Sequence, residues 1–63
     1  MLEYHVVDHV FRPGETINAV IKNLHNYNIT PEEITSIILI FNELNSNKVP
    51  VPGVIFKIPI LNK

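Results

Sequence analysis

The chain has 63 residues, 46% of them apolar, with five basic and six acidic side chains giving a formal charge of −1. That length makes one small domain spanning 1–63, which hides only about 60% of its unfolded surface and has little stability to spare. No cysteine is present, so disulfides and thiolate metal sites are excluded, and the scattered charges form no basic stripe for nucleic acid or an anionic membrane.

The first residues, Met1-Leu2-Glu3-Tyr4-His5, have neither the basic flank nor the apolar core of a secretory signal. Nor does any apolar run approach the length of a membrane span. Synthesis in a cytoplasm without conventional export is therefore expected.

Leu2 to Phe11 is rich in strand formers and reads as a strand, either one long strand or an extended arm leading into a shorter one. Leu2, Tyr4, Val6 and Val10 fall on one alternating face, and Val7 and Phe11 on the other. Pro13-Gly14 ends the segment in a turn. Ile17, Val20, Ile21 and Leu24 then recur at helical spacing, with Thr16 or Glu15 as the cap. Asn18, Lys22, His25 and Asn26 are expected on the opposite, polar side, and the helix should fail around Asn26-Tyr27-Asn28.

The second helix has a sharper start. Thr30 at the N-cap, Pro31 at the first helical position and Glu33 two residues later form a capping box. Ile34, Ile37, Ile38 and Phe41 share its apolar face. Ile40 lies at the edge of that face and Leu39 well away from it, which suggests a second neighbour. Asn45 to Lys48 reads as a loop, and Val49-Pro50-Val51-Pro52 as extended chain. Gly53 turns the chain into a final strand, Val54 to Ile58, with Pro59 expected to block it.

Little here points to catalysis. Glu32 and Glu33 are adjacent helix-start carboxylates, explained by capping and the helix dipole. His5 and His9 share a strand face about 13 Å apart, too far for one metal ion. With no nucleophile elbow or phosphate-cradling loop, the chain reads as a non-enzyme without cofactor or metal.

The order strand–helix–helix–strand, with Gly14-Glu15-Thr16 before the first helix, Asn42 after Ile38 and Phe41, and Val51-Pro52-Gly53 before Phe56-Lys57-Ile58-Pro59, resembles the lysin motif (LysM) domain over roughly residues 4 to 60. The resemblance implies a small α+β fold, β-α-α-β, with a two-stranded antiparallel sheet packed on two helices. It also implies a binding role. The longer first helix, the Pro-rich step after Asn42, the N-terminal extension and Ile60-Leu61 depart from the family's pattern. Glycan-binding members hold sugar between the two loops, which here are Pro13 to Thr16 and Val49 to Pro52. Neither loop offers an aromatic platform, so peptidoglycan or chitin binding would rest on backbone groups.

Stand-alone LysM-like chains are similar to small tail and baseplate proteins of contractile-tailed phages and related injection particles. That similarity implies a structural adaptor in a virion, present in several copies beside other structural proteins and made in a host cytoplasm. Gly14, Glu15, Thr16, Asn42, Val51, Pro52 and Gly53 are the candidate ligand or partner loops. Leu2, Tyr4, Val6, Leu39, Ile40, Ile60 and Leu61 are the candidate protein interface. Ten isoleucines are more branched aliphatic mass than a domain this small readily buries, which favours an interface. A glycan-binding module, and another small α+β partner-binding domain, stand as alternatives.

Overall fold

In a computed structural model, which describes residues 2–62, the order is β1 (Tyr4–Val10), α1 (Ile17–Leu24), α2 (Pro31–Leu44) and β2 (Ile55–Leu61). The two strands pair antiparallel, from Tyr4 opposite Leu61 to Val10 opposite Ile55. This is the expected small α+β fold, and β1 is a single strand paired within the chain. The ladder extends one step beyond β1, where the Asn62 N–H donates to the Glu3 carbonyl.

Both helices start where side chains can take over the orphan N–H groups of a first turn. Thr16 Oγ1 accepts from Ala19 N–H at 3.1 Å. At α2, Thr30 Oγ1 accepts from Glu33 N–H, and the Glu33 carboxylate accepts from Thr30 N–H, completing the capping box.

The helices pack mainly on β2, and β1 joins the core chiefly through Val7. One buried cluster joins Phe11, Val20, Phe41, Phe56 and Ile58. It gathers all three phenylalanines of the chain: Phe41 and Phe56 stack at 6.0 Å, and Phe11 meets Phe56 edge-on at 5.5 Å. A second cluster joins Ile21, Ile34, Ile37 and Leu61. Val7 and Phe11 thus face inward, while Leu2, Tyr4, Val6 and Val10 are exposed.

Several expectations change. Leu61 is not an interface residue: at 5% exposure it fills the space between the helices beside Ile21 and Ile37. Ile60 is half-buried against the first cluster and Ile40 is half-buried on α2, leaving Leu39, at 64%, as the exposed apolar residue of the interface candidates on α2. Leu24, placed on the buried face by periodicity, is exposed.

Helix α1 ends at Leu24, earlier than the asparagines suggested, because His25 leaves the helix with extended backbone and turns its ring inward. His25 is 6% exposed rather than on the polar face. Its Nδ1 lies 2.7 Å from the Ile21 carbonyl, and its Nε2 accepts from Leu61 N–H at 3.1 Å. The ring therefore carries its proton on Nδ1 and joins the end of α1 to β2.

A second side chain makes the matching connection from α2. Asn45 Nδ2 donates to the carbonyls of Phe41 and Lys57, both at 2.8 Å, and its Oδ1 accepts from Lys57 N–H at 2.9 Å. The amide thus pairs with Lys57 as a neighbouring strand would. Because Lys57 and Leu61 direct their N–H groups away from β1, Pro59 between them occupies a position whose donor would also point away. Its missing N–H breaks no ladder bond, so β2 runs on through Ile60 and Leu61 instead of stopping.

The asparagine that ties α2 to its surroundings is therefore Asn45. Asn42 contributes its carbonyl, which accepts from Asn47 N–H at 2.7 Å. Asn45→Ala should lower unfolding free energy by about 2 kcal/mol, the scale of two or three backbone-directed hydrogen bonds. Asn42→Ala should stay within about 0.5 kcal/mol of the parent. Urea denaturation of the two variants checks both, and equal effects would contradict this assignment.

Candidate functional site

The two loops singled out in the sequence meet at one end of the hairpin. Arg12-Pro13-Gly14-Glu15 closes with Glu15 N–H donating to the Arg12 carbonyl at 3.1 Å, and Val51-Pro52-Gly53-Val54 with Val54 N–H donating to Val51 at 3.2 Å. Each places proline at the second position and glycine with φ +85° at the third, the arrangement of a type II turn. Only glycine adopts that angle without strain. Gly53 N–H then donates to the Phe11 carbonyl at 2.9 Å, fastening one turn beside the other.

This geometry accounts for most of the candidate polar groups. Glu15 Oε1 accepts from Arg12 N–H at 2.7 Å and sits 3.1 Å from His9 Nε2. His9 in turn meets the Phe11 ring edge-on at 5.1 Å. Thr16 is occupied by the cap of α1. Asn42 lies half-buried on α2 and is not part of the paired turns.

What the turns offer outward is backbone and small apolar surface. Gly14, Val51, Pro52 and Gly53 are exposed, and a Cβ placed on either glycine would meet nothing within 4 Å. No phenylalanine or tyrosine ring stands over this space among the described residues: the phenylalanines are buried, Tyr4 lies at the opposite end of the hairpin, and Tyr27 meets His25 edge-on at 5.7 Å near that same far end. A cleft of about 390 Å³ also lies at that opposite end, lined by His5, Leu24, His25, Asn26, Ile60, Leu61 and Asn62. There His5 Nδ1 is 2.7 Å from Asn62 Oδ1.

Among the described residues no three His, Asp or Glu side chains gather as a metal site. No helix among them is long and apolar enough to cross a membrane.

The remaining candidates lie on the solvent side of the sheet. Leu2, Tyr4 and Val6 are exposed as expected, and Val10 and Ile55, opposite each other in register, lie on the same face beyond the exposed Asp8–Lys57 pair. Alternation along β1 already implied this face for Val10. Ile55 could be assigned only once the register was known.

No protein-family model matches the chain, and neither a curated protein nor a solved structure shows significant similarity to it.

The Glu15 carboxyl is held below its ordinary value of 4.5, first by the Arg12 N–H and then by His9. Both contacts favour the ionised form. Because the folded-state value lies below the unfolded one, the stabilisation is complete above the unfolded value and is lost as pH falls through the folded one. A carboxyl-carbon NMR titration should place the Glu15 midpoint below 4.5. In Glu15→Ala the Arg12 amide should exchange faster with solvent.

Proposed function

We propose that this chain is a non-catalytic, LysM-like structural adaptor of a phage tail or baseplate, or of a related contractile injection particle, linking the hub or tube to neighbouring subunits in several copies. The observation that carries the reading is the distribution of apolar surface. After two core clusters have formed, Leu2, Tyr4 and Val6 on one side of the exposed Asp8–Lys57 pair, and Val10 and Ile55 on the other, are still exposed on the outer sheet face, and Leu39 and Val49 stand open elsewhere. Patches of this kind on a small domain mark contact surfaces. The β-α-α-β order and the Gly14 and Gly53 turns agree with the resemblance on which the reading draws.

Leu39→Lys and Ile55→Lys alter side chains that are 64% and 62% exposed, so both variants should fold like the parent. Each should reduce incorporation into particles by about tenfold when produced with the structural proteins encoded beside it, the scale of losing one anchoring side chain. Unchanged incorporation of both would defeat the adaptor reading.

A second reading is favoured by the open space over the paired turns: an N-acetylglucosamine oligomer held by backbone groups. Amide NMR titration with such oligomers separates the two. Saturable shifts confined to residues 13–16 and 49–54 would establish glycan binding, while an unchanged spectrum of the folded protein is the outcome expected of the adaptor.

A further inference from the structure

The two edges of the sheet are treated differently. Along β2, Asn45 covers Lys57, His25 covers Leu61, and Pro59 between them has no N–H to offer. Since Lys57 and Leu61 point their backbone groups away from β1, antiparallel alternation requires Asp8 and Tyr4 opposite them to point away from β2. Val6 and Val10 follow the same alternation. The N–H and C=O groups of these four residues form an outer edge that no helix approaches.

Proteins ordinarily protect such an edge with proline, lysine, a bulge or a very short strand. β1 has none of these. It runs seven residues in unbroken register, with Asp8 as its one acidic or basic side chain apart from the histidines.

We propose that this edge pairs antiparallel with β1 of a second copy of the chain, about a two-fold axis at Val6, to give one four-stranded sheet. The register follows from complementarity. Outward-pointing residues must pair with outward-pointing residues, so the axis passes through Val6 or shifts by whole-residue steps that preserve that rule. With the axis at Val6, Leu2 lies opposite Val10 of the second copy, Tyr4 opposite Asp8, and Glu3 opposite His9. Apolar groups then meet apolar groups, the Asp8 carboxylate meets a phenol, and Glu3 meets an imidazole. An axis at Val7 keeps an apolar pair in Tyr4 opposite Val10, but it sets His5 against His9 and the Asp8 carboxylate against Val6, a poorer polar match. Cross-strand pairs of the first kind are favourable and like charges directly opposite are not. This inference stands whether or not the chain belongs to a tail particle.

Sedimentation of the isolated protein from micromolar to millimolar concentration should show the mass moving from one chain toward two. Val6 is exposed, so Val6→Lys and Val6→Glu should fold as monomers. Each places like charges across the axis, so each alone should lose self-association. An equimolar mixture should recover it, because lysine then faces glutamate. Asn18→Lys, on the exposed side of α1 and remote from the edge, should associate like the parent. A parent that stays monomeric at every concentration overturns the proposal and leaves the edge to a strand of a different protein. Variants that associate as well as the parent place the contact elsewhere. A mixture that stays monomeric beside an associating parent rules out the axis at Val6.

Discussion

The structure depends on the way β2 is held between β1 on one side and two polar side chains on the other. A two-stranded sheet is marginal alone and needs a layer packed against it. Here the helices supply apolar surface through Val20, Ile21, Ile37 and Phe41, and they also supply hydrogen bonds. Asn45, at the end of α2, and His25, at the end of α1, each bond to the β2 backbone. Apolar packing alone would let the strand slide along the helices. A paired amide at Lys57 and an imidazole at Leu61 set its position along them. The demanding geometry falls at helix ends, where side chains can still leave the helical path.

The same arrangement explains what could be read from the chain and what could not. The caps at Thr16 and Thr30, the periodic faces of both helices and the Pro-Gly turns are local, encoded within a few neighbouring residues, and they were legible. The roles of His25 and Asn45 were not, because their partners lie 36 and 12 residues away. In the sequence, Asn45 is one asparagine among Asn42, Asn45 and Asn47, and only the position of Lys57 distinguishes it. Leu61 looked surplus for a related reason: a strand ending at Pro59 would have left it outside. Proline stops a strand only where its missing donor belongs to the ladder, and here it does not.

The candidate site shows a similar division. That Gly14 and Gly53 occupy turns was evident from their prolines, but that the two turns lie side by side depends on the hydrogen bond from Gly53 to Phe11. Glu15 and Thr16, polar and well placed for a ligand, are instead occupied in shaping the first turn and capping the first helix. Recognition at this end of the molecule would fall to main-chain groups and aliphatic side chains. The outer sheet face offers larger apolar side chains, Tyr4 and Val6 on one side of the exposed Asp8–Lys57 pair and Val10 and Ile55 on the other, and it lies on paired strands instead of loops.

The unlike edges of the sheet also bear on a hazard of short, apolar, β-branched strands. A sheet with two receptive edges can add copies indefinitely, which is the geometry of a cross-β filament. In this chain any strand that joins β1 finds the far side of β2 already occupied from Lys57 to Leu61. Growth by strand addition therefore terminates after a single event, and a protein rich in isoleucine can be concentrated in an assembly without seeding a fibre.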